Sequence, residues 1–130
     1  MSITSDRAAL IALLGTQLTI GGQTVTVSPY APADVQPYTL YLELAGCEPG
    51  DVFHTLAVDW EITITAKANI AVTAAAVWLD TATDTILSAL RGVDGLTLGT
   101  VEPYFALISN QSGGSTAAVR LSFTSQTPID

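Results

Sequence analysis

The sequence predicts an α+β fold, a mostly antiparallel sheet covered by one long helix, with a short helix at the N-terminus. Three observations carry this reading. In residues 58–67, apolar Val58, Trp60, Ile62, Ile64 and Ala66 alternate with polar Asp59, Glu61, Thr63, Thr65 and Lys67, the period of a strand with one buried and one polar face. Directly afterwards Val72, Ala75, Ala76, Leu79, Ile86, Leu87 and Leu90 recur at three- and four-residue steps, the period of an amphipathic helix. The remaining strand signals come in adjacent runs and do not alternate with helices, which disfavours a parallel sheet built of βαβ units.

In chain order, Thr4 or Ser5 is placed to cap a first helix, Asp6 suits its positive end, and Leu10, Ile11, Leu13 and Leu14 form its apolar side before Gly15 ends it. Residues 17–20 and 23–28 flank Gly21-Gly22, a pair able to supply the positive φ angles of a two-residue hairpin turn. Pro29, Pro32 and Pro37 then hold an extended connecting arm, because each ring fixes its own φ and biases the preceding residue away from helix. Residues 38–45 read as the next strand, with Leu40, Leu42 and Leu44 on one face, and 46–55 as the loop to the Trp60 strand. The long helix runs from about Asn69, its expected cap, to Arg91, with Gly92 ending it. Two strands close the chain, 96–109 interrupted at Pro103 and 116–124, joined by a Gly-containing turn. One domain spanning residues 1–130 accommodates all of this; no repeat or low-complexity tract divides it.

Composition narrows the function. Hydrophobic residues make up 48% and charged residues only 12%, against roughly 25% charged in a typical soluble domain. A surface furnished with Thr, Ser, Ala and Gln suits burial against neighbours, so an oligomer is expected. Twelve acidic residues face four cations, Arg7, Lys67, Arg91 and Arg120, for a net charge of -8. Scattered cations of that number build no basic stripe, which disfavours specific nucleic-acid binding and anionic membrane. Cys47 is the single cysteine, and the first residues carry no export or membrane-spanning signal, so a reducing cytoplasm is the expected setting.

Neither a catalytic set, nor a cofactor site, nor a metal site is predicted. His54 is the single histidine, in a loop without a nucleophile or second ligand nearby. Asp59 and Glu61 share one face of a strand but have no third ligand, and read as a solvated sheet face. Neither Gly-Gly pair has the following Lys and helix of a phosphate loop. Asp80, Asp84 and Arg91 share one flank of the long helix, within about 40° at ~100° per residue. Trp78 points away from that helix's apolar stripe. Two readings fit it: a ring tucked over the sheet edge, or an aromatic anchor against another subunit, where Trp is enriched.

A short amphipathic helix, a Gly-Gly hairpin, the Pro-spaced arm PYAPADVQPY, a strand pair ending in the Trp60 strand, an Ala-rich helix with Leu79, Asp80 and Asp84, and a final strand pair follow in that order. This layout resembles the tail terminator proteins of long-tailed bacteriophages, over nearly the whole chain. The resemblance implies a non-enzymatic virion subunit that forms a ring of about six copies on the upper, head-proximal end of the tail tube after assembly in the host cytoplasm. Such a ring stops tube polymerisation and meets the head-tail connector or head-completion protein, and DNA passes through its lumen without specific binding. Trp78 and arm residues Pro29, Tyr30, Pro32 and Pro37 are then the candidate subunit contacts, and Glu48, Asp51, Asp80 and Asp84 the candidate lumen carboxylates. A head-completion or tail-tube subunit, or a small accessory binding domain of a cytoplasmic complex, fits the same composition.

Overall fold

The elements follow in the order α1 (Ile3–Leu14), β1 (Gln17–Ile20), β2 (Gln23–Ser28), β3 (Thr39–Pro49), β4 (Thr55–Ala68), α2 (Val72–Leu90), β5 (Leu96–Ile108) and β6 (Ser115–Pro128). The computed structural model describes residues 3–50, 54–91, 93, 95–109 and 114–128. The fold is α+β, with its strands in one sheet of order β1-β2-β3-β4-β6-β5.

Strand β4 lies between β3 and β6 and is buried on both sides of the sheet. On the helix side, Val58, Trp60, Ile62, Ile64 and Ala66 are covered by α1 and α2 and packed against Leu40 and Leu42 of β3 and Val119, Leu121 and Phe123 of β6. Trp60 is wholly buried, and its indole N–H donates to Ser125 Oγ at 3.0 Å, which satisfies the one polar group the ring takes into the core. From α2 the core receives Ala75, Leu79, Ala82, Ile86 and Leu90, a stripe at helical spacing; from α1 it receives Leu10 and Leu14. Leu13, expected with them, is about half exposed.

Several expectations are corrected. The sheet is mixed: β2 and β3 pair in parallel, Val27 opposite Leu40, while the other pairings are antiparallel. The ten-residue arm between Ser28 and Thr39 makes this possible by doubling back so that β3 starts beside Thr26 and runs on in the direction of β2, the crossover that parallel neighbours require. Proline spacing announces an extended segment but not the direction in which it leads. The cover is also shared, since α1 packs on β2 and α2 beside the long helix.

The sheet's second side is not a simple solvated face. Thr39, Tyr41, Thr63, Thr65 and Ala118 are buried there, and the arm folds across their upper end. Thr65 Oγ1 donates to the Gln36 carbonyl at 2.6 Å and accepts from Thr39 N at 2.9 Å, and Ser109 Oγ donates to Asp34 at 2.7 Å. One hydroxyl per residue lets a strand carry buried polar side chains without orphaned charge.

Element limits differ as well. Strand β3 continues to Pro49 through a register shift between Leu44 and Gly46, so Cys47 and Glu48 lie on a strand and not in a loop. Strand β5 runs unbroken past Pro103, and its two register shifts absorb the irregularity. Asn69 does not cap α2: it adopts φ 59° and its side-chain oxygen accepts from Ser115 N at 3.2 Å, while the N-cap position is Ala71. Gly92 falls outside the described residues. The Gly21-Gly22 turn is as expected, with φ of 55° and 80°.

Removing the Trp60 ring leaves a cavity that neighbours on both adjacent strands cannot close. Trp60→Ala is expected to destabilise the fold by about 3 to 5 kcal/mol in urea unfolding; a loss under about 1 kcal/mol contradicts this packing. Burial holds the Tyr41 phenol above its ordinary value of 10.0, with the Glu43 carboxylate acting in the same direction. A raised folded value means stability is fully present below pH 10 and falls as pH rises from there through the folded value. Unfolding free energy measured against pH should show that alkaline loss, and Tyr41→Phe should reduce it.

Candidate subunit interface

The apolar residues left on the surface are not scattered. Among the described residues, four of the large exposed ones, Leu98, Val101, Tyr104 and Ile108, lie along β5, an edge strand whose second side is unpaired. They project on the helix side, because Leu98 and Val101 stand opposite core residues Phe123 and Leu121, and Tyr104 reaches α2. Their spacing is irregular, and the register shifts between Leu98 and Val101 and between Glu102 and Phe105 restore the side that an odd step would reverse. Helix α2 borders this row without covering it, with Leu98 beside Leu87 and Arg91, and Val101 and Tyr104 beside Asp80 and Asp84.

Between that row and α2 lies a cleft of about 310 Å³ lined by Asp80, Thr83, Asp84, Val101, Tyr104 and Val119. The Tyr104 hydroxyl donates to Asp80, and this hydrogen bond to a carboxylate raises the phenol above its ordinary value. Among the described residues, no basic side chain lines the cleft. On the other side of β5, Glu102 and Glu61 share Arg120 at 3.1 and 3.0 Å, with the guanidinium 4.7 Å from the Phe105 ring centre.

Helix α1 packs on β2 and reaches β6, where Thr127 donates to Asp6, and with the start of the arm it bounds a groove of about 580 Å³. Small residues on the outer side of α1, Ala8 and Ala12 with Ile11, form one wall, and Pro29 and Tyr30 the other. Tyr30 is 60% exposed. Arg7 fixes this wall: its guanidinium donates to the Pro29 carbonyl and to Leu42 O at 3.0 Å, and lies 4.3 Å from the Tyr30 ring centre and 5.2 Å from that of Trp60. One cation thus joins α1, the arm, β3 and β4 through planar contacts that a lysine cannot reproduce.

The expected site residues divide between these surfaces and the interior. Pro29 and Tyr30 line the groove. Pro32 borders a smaller cleft beside Tyr41 and Leu107, and Pro37 is exposed before the turn into β3. Trp78 is engaged within the chain: its N–H donates to Ile20 O at 2.9 Å and its ring meets Tyr38 edge to face at 5.1 Å. Gly21 is needed there, since a Cβ would lie 3.2 Å from the indole. Asp80 and Asp84 line the β5 cleft, whereas Glu48 stands on β3 with β4 and β6 between it and β5, so these carboxylates do not form one group. Asp51 lies outside the described residues.

Of the residues weighed for chemistry, Asp59 accepts from Thr124 at 2.8 Å and Glu61 pairs with Arg120, so each carboxylate has its own partner. His54 is exposed at φ 64°, and Cys47 is exposed on β3. Among the described residues no three metal-ligating side chains converge, and no helix is long and apolar enough to cross a membrane. Searched against models of known protein families and against curated protein sequences, the chain matches none.

Sequence reading passed over the β5 row, because its apolar residues do not alternate. A run of apolar residues on both sides of Pro103 was the available signal, legible only once the bulges are known. Charge-assisted bonds to carbonyls and two aromatic contacts make Arg7→Ala cost about 2 to 3 kcal/mol, with Arg7→Lys recovering only part. Denaturant midpoints of the three proteins test this, and equal midpoints would remove Arg7 from its role.

Proposed function

We propose that this chain is a structural subunit of a bacteriophage tail, a terminator that forms a ring on the head-proximal end of the tail tube. What supports the reading most is the apolar row on a 13-residue edge strand, in a chain with few surface charges. An edge of that length and character is a hazard on a free monomer and is suited to a neighbour that covers it. The resemblance of element order to tail terminator proteins supplies the particular assembly.

Charge distribution favours a passage for DNA over a grip on it. Arg7 and Arg120 are engaged by the fold, which leaves exposed Lys67 and Arg91 against the acidic majority among the described residues. A lumen lined by carboxylates repels phosphates and lets the genome slide, with only groups within about 8 to 10 Å acting on it at physiological salt. Of the expected carboxylates, Glu48 and Asp51 remain the candidates for that lining, since Asp80 and Asp84 line the cleft beside β5, and the tube protein below and the connector or head-completion protein above are the partners. No step of this function requires catalysis.

Deletion in a phage that carries the gene tests the role. Tails of uncontrolled length without heads are expected in electron micrographs, with rescue by the chain supplied in trans. Normal tails joined to heads overturn the proposal; absent tubes would point to a tube subunit, and normal free tails beside unsealed heads to a head-completion protein.

A further inference from the structure

We infer that two copies of this chain join head to tail, the β5 row and its cleft on one copy seating against the groove between α1 and the arm on the next. This rests on the proposed ring and names the surfaces that close it. The two surfaces are built from different elements, β5 with α2 and α1 with the arm, so each copy retains a free half of either kind after pairing. Such a heterologous contact propagates, and a suitable rotation closes it into a ring.

Charge selects this pairing over the symmetric ones. Among the described residues, the β5 cleft is lined by Asp80 and Asp84 and by no cation, Arg91 lying farther along the row beside Leu98, whereas the groove is lined by Arg7 and by no carboxylate. Two β5 surfaces placed together would oppose carboxylates across a dry interface, and two grooves would oppose guanidinium groups. Like charges juxtaposed in an interface are strongly unfavourable, and crossed pairing avoids both cases. The apolar parts also match in kind. Projecting Tyr104 and Ile108 meet a groove floored by Ala8 and Ala12, whose small side chains leave room for them.

The test uses two variants at exposed positions, Ala8→Glu in the groove and Ile108→Glu on β5. Wild-type protein should form a discrete oligomer in native mass spectrometry, and each variant alone should run as the 13.5 kDa monomer. Mixed in equal amounts, the two retain one intact interface between them and should give a 1:1 pair of twice that mass and nothing larger. Thermal melts establish that each variant is folded, and Ala12→Glu and Leu98→Glu replace any that is not. A monomeric wild type, a variant that still assembles, or a mixture that stays monomeric overturns the inference. An assembled ring whose deletion leaves tails unaltered would sink the tail role alone; a monomer that still terminates tails would sink this interface alone.

Discussion

Burial of β4 on both sides is the constraint from which the other elements take their places. A strand covered on one side needs one layer, and α1 with α2 provides it over Trp60, Ile62 and Ile64. The reverse side carries Thr63 and Thr65, also without solvent contact, and an arm that simply linked two strands would leave them open. By crossing that side, the arm covers Thr65, accepts its hydrogen bond at Gln36, and delivers β3 parallel to β2. The topology and the hydrogen bond of Thr65 are thus solved by the same ten residues.

The same arrangement determines what is left outside. Helix α2 packs across β4, β6 and β5 but leaves helix-side residues of β5, the last strand of the sheet, partly exposed beside it. Helix α1 reaches from β2 to β6, where Thr127 donates to Asp6, and keeps small side chains outward, with Arg7 holding Pro29 and Tyr30 beside them as a wall. The two surfaces proposed as interfaces therefore arise where the core ends, and on that proposal their opposite charge gives them direction, which a ring needs and a two-fold dimer does not.

Much of the fold was legible because the decisive elements have clean periods. Residues 58–67 alternate without exception, residues 72–90 keep helical spacing, and Gly21-Gly22 permits few structures besides a turn. Illegible parts depended on partners distant in sequence. The parallel β2–β3 pair follows from where the arm goes, and nothing in PYAPADVQPY states that. Asn69 looks like a helix cap until Ser115, 46 residues on, takes its side chain. Trp78 was open between sheet edge and subunit contact; Ile20, Gly21 and Tyr38 occupy its polar end and much of its ring. The arm's Pro29 and Tyr30 were candidate contacts through the resemblance in layout and are found lining the α1 groove, whereas the β5 row was hidden by two bulges that break its alternation.

A reconstruction of the head-proximal end of an assembled tail bears most directly on the account. It should place copies of this chain in a closed ring around the tail axis, each β5 meeting the α1 groove of its neighbour, with carboxylates and not cations toward the DNA. A tail end that lacks this chain, or holds it in two-fold pairs with β5 facing solvent, contradicts it.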